Sequence, residues 1–180
     1  MIYIFLADGF EEVEALAPLD LLRRAKLSVT LVGVTGKTVT GAHNIKVECD
    51  DVIENVITSD EKIDMIVLPG GLPGADNLRE SDLVQSFITR AENDGAFITA
   101  ICAAPRILGE RGLLKGKKAT CYPGFEKYLE GAETNGDRVV RDGRIITGAG
   151  MGAAVDFGLM LIEALTSKET SENIRRGIIA

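Results

Sequence analysis

The chain has 180 residues, of which 46% are apolar, 26% charged and only 5% aromatic. That balance fits one ordinary folded domain, here residues 1–180, with enough apolar material for a core and no call for disorder. A formal net charge of −7, with no Lys/Arg cluster beyond the Gly116-broken group Lys115–Lys118, argues against nucleic acid and against an anionic membrane surface.

No apolar run approaches the roughly 20 residues that span a bilayer. Met1–Ala7 is too short and too poor in basic residues for a secretory leader, so a cytoplasmic setting with reduced thiols is expected. The three cysteines, Cys49, Cys102 and Cys121, have no metal-ligand spacing, and neither a disulfide framework nor a zinc site is expected.

In chain order, Ile2–Ala7 reads as a buried strand, followed by an Asp8–Gly9 turn. Glu11–Ala25 reads as a helix, with Val13, Leu16, Leu19 and Leu22 near a spacing of three and Pro18 marking a kink or break. Ser28–Val34 is a second strand. Lys37–Thr40 and Ile45–Cys49 form a small hairpin around Gly41-Ala42-His43-Asn44. Ile63–Leu68 is a strongly apolar run ending in Pro69-Gly70-Gly71. Asp82–Asn93 is an amphipathic helix with Leu83, Phe87, Ile88 and Ala91 on one face.

Phe97–Ile101 is another buried strand, with Cys102 directly after it. Ala103–Gly112 reads as a helix that tolerates Pro105 in its first turn. A short strand follows near Ala119–Cys121, then a small helix around Phe125–Leu129. A hairpin of Arg138–Val140 and Arg144–Thr147 turns at Asp142-Gly143. Helices over Gly152–Leu165 and after Ser167 end the chain. Apolar runs without alternation, separated by helices, predict a flavodoxin-like, doubly wound α/β fold: a mostly parallel sheet with helices on both faces. In such sheets ligands bind beyond the strands' carboxyl ends, which gathers Asp8–Glu14, Pro69–Asn77 and Cys102–Pro105.

Phe97-Ile-Thr-Ala-Ile-Cys102-Ala-Ala-Pro105 has the grammar of a nucleophile elbow: a strand, one residue in a tight turn, and a helix of small residues. A helix N-terminus there would stabilise a Cys102 thiolate. The glycines of Leu68-Pro-Gly-Gly-Leu-Pro-Gly74 let backbone N–H groups approach an oxyanion, and the segment carries no phosphate-loop lysine. Glu14, three residues beyond Glu11, is expected to point inward, where a carboxyl would have a raised pKa and could act as proton donor, while Glu11 and Glu12 are expected to stay in water. His43, the single histidine, reads as a surface-loop residue. Cys121 and Tyr122 read mainly as packing residues within reach of the same edge, with Tyr122 as a candidate pocket wall.

The Ala-Ile-Cys-Ala-Ala-Pro elbow, the Leu-Pro-Gly-Gly turn and the Gly-Phe-Glu-Glu-Val-Glu segment resemble the ThiJ/PfpI superfamily in order and spacing. The likeness extends to Asn77, Thr147-Gly148, Gly150, Gly152 and Asp156-Phe157, and is nearest to the branch of the parkinsonism-associated protein deglycase and bacterial YajL-type proteins. The resemblance implies an oxidation-sensitive Cys102 nucleophile bonded to a protonated Glu14. It implies an oxyanion pocket from the N–H groups of Gly71 and Ala103, beside Gly70. It also implies a homodimer with the first helix near the interface. The activity implied is of glyoxalase or deglycase type, on small reactive carbonyls or glycated proteins, without metal or organic cofactor. Redox sensing and chaperone-like protection with little turnover are the alternative. Two departures stand out. Tyr122 replaces a histidine that some members place near the nucleophile, and Ala149-Gly-Met-Gly152 replaces Arg-Gly-Pro-Gly, removing a positive charge near the pocket.

Overall fold

The first apolar run forms β1 (Ile2–Leu6), buried at every residue because it lies between two strands and is covered on both faces. The computed structural model describes residues 1–180. After β1 come α1 (Glu12–Arg24), β2 (Val29–Gly33), the pair β3 (Thr38–Thr40) and β4 (Lys46–Glu48), then β5 (Asp51–Val52) and α2 (Ile53–Val56). The middle of the chain supplies β6 (Met65–Leu68), α3 (Gly74–Glu80), α4 (Asp82–Asn93), β7 (Phe97–Ile101) and α5 (Pro105–Glu110). The last third holds β8 (Lys118–Ala119), β9 (Glu133–Thr134), β10 (Val139–Asp142), β11 (Ile145–Gly148), α6 (Ala154–Leu165) and α7 (Lys168–Gly177).

Seven strands form the central sheet in the order β10-β11-β7-β6-β1-β2-β5, and every pair is parallel except the edge hairpin β10–β11. Side chains alternate across β1. Tyr3 and Phe5 join Phe87, Ile88, Ile107 and Leu108 in a core under α2–α5. Ile2, Ile4 and Leu6 join Leu19, Leu22, Leu161 and Ile162 in a second core under α1 and α6. These two cores make the doubly wound, three-layer arrangement expected of such strands.

Several boundaries differ from the sequence reading, each for a local reason. No break occurs at Pro18, and α1 runs through it. Its neighbour α6 comes close at Gly158, where an added Cβ would lie 2.6 Å from Leu21 Cδ1 and 3.1 Å from Pro18 Cα. α5 starts only at Pro105, because Cys102 (φ +64°) and the turn through Ala104 occupy the expected first residues. α3, α2, β5 and β9 were not expected. Gly74 opening α3 disguises it as loop, and the other three span four residues or fewer, too short for periodicity to show. No helix is long and apolar enough to cross a membrane.

Candidate active site

The order in which the parallel strands are connected reverses between β1 and β6, and the loops after β1, β6 and β7 meet at that edge of the sheet. The Cys102 backbone is pinned there. Its N–H donates to Gly148 O at 2.9 Å, and its carbonyl accepts from Tyr122 N at 2.8 Å. Together these bonds hold a non-glycine residue in the left-handed region, which rotates the side chain off the sheet, as in a nucleophile elbow. Cys102 is half-buried and packs against both cores.

Glu14, in the first turn of α1, is fully buried, and its Oε2 accepts the Gly70 N–H at 3.0 Å. Its Oε1 is buried without a hydrogen-bond partner, and Cys102 is the neighbouring side chain that acts to lower this carboxyl's pKa. Burial pushes Glu14 up to about 7, against the hydrogen bonds from Cys102 and Gly70. The backbone N–H groups of Gly71 and Ala103 act to lower the Cys102 pKa, and both residues line the cavity beside the sulfur. Gly71 (φ +85°) has to be glycine, because a Cβ there would lie 2.3 Å from Glu11 N.

The thiol itself departs from expectation. Burial, the Glu14 charge and the Glu14 hydrogen bond push Cys102 up to about 12, although Gly71 and Ala103 pull it down. The resting group is therefore a thiol rather than a free thiolate, because desolvation and a carboxylate neighbour outweigh two amide dipoles. Two of the three opposing causes depend on Glu14 being ionised. The thiolate accordingly forms together with protonated Glu14, with one proton passing between the two groups. Cys49 and Cys121 are buried, and burial first of all pushes each up to about 11.

A cavity of about 220 Å³ opens over the sulfur, lined by Gly71, Leu72, Cys102, Ala103, Tyr122 and Phe125. Tyr122, read mainly as a packing residue, is 51% exposed and forms one wall. Cys121 lies outside this cavity. The sequence reading missed Leu72 and Phe125 as walls. An apolar residue between Gly71 and Pro73 was the available signal, since turns seldom expose leucine.

His43 is exposed at its ring, in line with a loop position, yet its Nδ1 lies 2.8 Å from Glu12 Oε2 and its N–H donates to Glu12 Oε1 at 2.7 Å. Glu12, expected in water, is only 4% exposed. The β3–β4 hairpin folds over the start of α1 and covers it, through Gly9 N–H to Thr40 O and Ala42 N–H to Phe10 O, each 2.8 Å. Glu11, Glu12 and His43 are the one group of side chains close enough to share a cation. Their atoms are already engaged, since Glu11 Oε1 caps α1 at Val13 N and Glu12 holds His43.

Comparison with known proteins agrees with this geometry. The DJ-1/PfpI family model matches residues 1–164. Protein dj-1beta of Drosophila melanogaster is 36% identical over 179 residues, covering 98% of this chain and 95% of that protein. Protein DJ-1 homolog A of Arabidopsis thaliana is 39% identical over 177 residues, and this chain (covered to 96%) spans 45% of its length. The solved structure of oxidized Toxoplasma gondii DJ-1 superposes with a TM-score of 0.94 at 33% identity, covering 99% of this chain and 97% of that one. Sequence, sheet order and elbow thus point the same way, and the chain belongs to the DJ-1/PfpI family.

Proposed function

We propose that this protein is a cysteine-dependent, stress-protective enzyme that converts small α-oxoaldehydes, free or as adducts on proteins, into 2-hydroxy acids. The observation that carries this reading is the buried Glu14 carboxyl beside Cys102, in a cavity that the Gly71 and Ala103 backbone also lines. Glu14 takes the thiol proton as sulfur attacks the aldehyde carbon, forming the S–C bond. The carbonyl π pair moves to oxygen, facing Gly71 and Ala103, and Glu14 returns its proton there to give a hemithioacetal. Removal of the proton on that carbon gives an enediol, and reprotonation at the neighbouring carbon gives a thioester. Water cleaves the thioester, releasing the 2-hydroxy acid and restoring the thiol. The net change is addition of one water, with no external oxidant or reductant. A carboxyl with a pKa of about 7 suits both directions of transfer at neutral pH.

Purified protein given methylglyoxal should form lactate, and Cys102→Ser should not. Equal rates in the two proteins would refute the reading.

The same geometry supports a second function, peroxide sensing with little turnover. Sulfur attacks a peroxide oxygen, the O–O bond breaks and water leaves, and a second round gives sulfinate. The Gly71 and Ala103 N–H groups and protonated Glu14 are donors to the added oxygens, and an oxidized state has been solved for the Toxoplasma gondii relative. A second copy of the chain is the proposed partner, with α1 near the interface, where Val13 is 43% exposed.

A further inference from the structure

We propose that the Cys102 cavity selects uncharged electrophiles bearing an apolar or aromatic group and turns away anionic ones. This deepens the oxoaldehyde reading and rests on it only for the reaction that follows binding.

No residue lining the cavity is charged. Its walls are Leu72, half-exposed at the mouth, and the rings of Tyr122 and Phe125, set edge to face with centroids 6.4 Å apart and planes at 81°. That cleft offers two aromatic surfaces to a flat apolar group. No cation lines the cavity, and the basic residues around it face other groups. Arg106 lies over Phe125 and Tyr128, at 5.9 and 5.7 Å from the ring centroids, with Asp76 as its ion-pair partner. Arg138 lines an adjoining cavity on another side of Tyr122, and Asp156 holds it at 3.0 Å. Lys127 sits over Tyr128 at 5.0 Å.

The acid in the site is Glu14, coupled to the sulfur itself, with Glu11 behind it. A carboxylate on the substrate would be stripped of water against apolar walls, without a counter-ion and facing ionised Glu14. A neutral substrate meets neither penalty and gains contact with Leu72 and the two rings. Phenylglyoxal therefore fits this pocket, and the anionic 4-carboxyphenylglyoxal does not.

Alkylation of Cys102 tests the selection without requiring turnover. Phenacyl bromide (neutral, aromatic), iodoacetamide (neutral, small) and iodoacetate (anionic) each form an S–C bond as halide leaves and the thiol proton passes to Glu14 or water. Rates at Cys102 are divided by the rates of the same reagents with a small free thiol. Iodoacetate should then be slower than iodoacetamide, and phenacyl bromide faster, each by about tenfold, the scale of one well-placed apolar contact or one missing counter-ion.

Leu72→Lys, at a half-exposed position, should raise the iodoacetate rate relative to iodoacetamide, and Tyr122→Ser should remove most of the phenacyl advantage. Equal normalised rates for the two iodo reagents, or no phenacyl advantage, would overturn the proposal. A parallel measurement of kcat/KM should favour phenylglyoxal over 4-carboxyphenylglyoxal, which undergoes the same reaction and differs by one negative charge. Selective alkylation with no turnover of any oxoaldehyde would support the pocket's selectivity while refuting the proposed reaction.

Discussion

Gly70 and Glu14 are in direct contact beside Cys102, with no room for a side chain at position 70. The Gly70 N–H donates to Glu14 Oε2 at 3.0 Å, and a Cβ at position 70 would lie 2.6 Å from both that oxygen and Cys102 Cβ. Gly70→Ala should push the carboxyl and the thiol apart. We expect a loss of about 1–3 kcal/mol of stability, as for overpacking at a closed site. Turnover should fall far more than this modest destabilisation would account for. Denaturant melts and lactate formation, measured on the same preparation, separate the two effects.

Glu14→Gln should split reactivity from turnover. It removes the charge that holds the thiol up and leaves burial against the Gly71 and Ala103 dipoles. The thiol pKa should drop from about 12 far enough to raise the thiolate fraction at pH 8 about tenfold. Alkylation by iodoacetamide should speed up, while oxoaldehyde turnover slows because the amide cannot carry the proton. Ultraviolet absorbance of the thiolate against pH reads the first effect, and slower alkylation in the variant would contradict it.

Folding stability should decline with rising pH through the same carboxyl. Glu14 titrates near 4.5 when unfolded and near 7 when folded, so the folded state holds the extra proton between those values. Its contribution is fully present below pH 4.5 and is lost as pH rises through 7, by about 3 kcal/mol at most. Urea midpoints from pH 4.5 to 8 should show this loss in the natural chain, and a smaller loss in Glu14→Gln.

Mild peroxide should add two oxygens at Cys102 and leave Cys49 and Cys121 intact. The latter two are buried and lack the paired carboxyl. Peptide mass spectra after a short exposure would show this. Oxidation spread evenly over the three thiols would remove the support for sensing.

The strands that position the site were legible because β1, β6 and β7 are apolar runs without alternation, broken only by Thr99, and strands covered on both faces leave that mark. Cys102, Glu14 and Gly71 could be picked out from local grammar: a strand–Cys–small–Pro series, an acid one turn into a helix, and paired glycines after a strand. Long-range contacts were not legible. Nothing near Glu12 in the sequence announces that a hairpin some 30 residues later will cover it. The protonation of Cys102 was misjudged for a related reason: local sequence shows the favourable dipoles, and only the folded chain shows the desolvation and the carboxylate that outweigh them.

The left-handed backbone at Cys102 costs about 1 kcal/mol that a glycine would not incur. A sequence chosen for folding alone would therefore place glycine at this position and discard the sulfur. A screen that scores only expression or melting temperature would pass such inactive variants, so thiol chemistry has to be assayed directly.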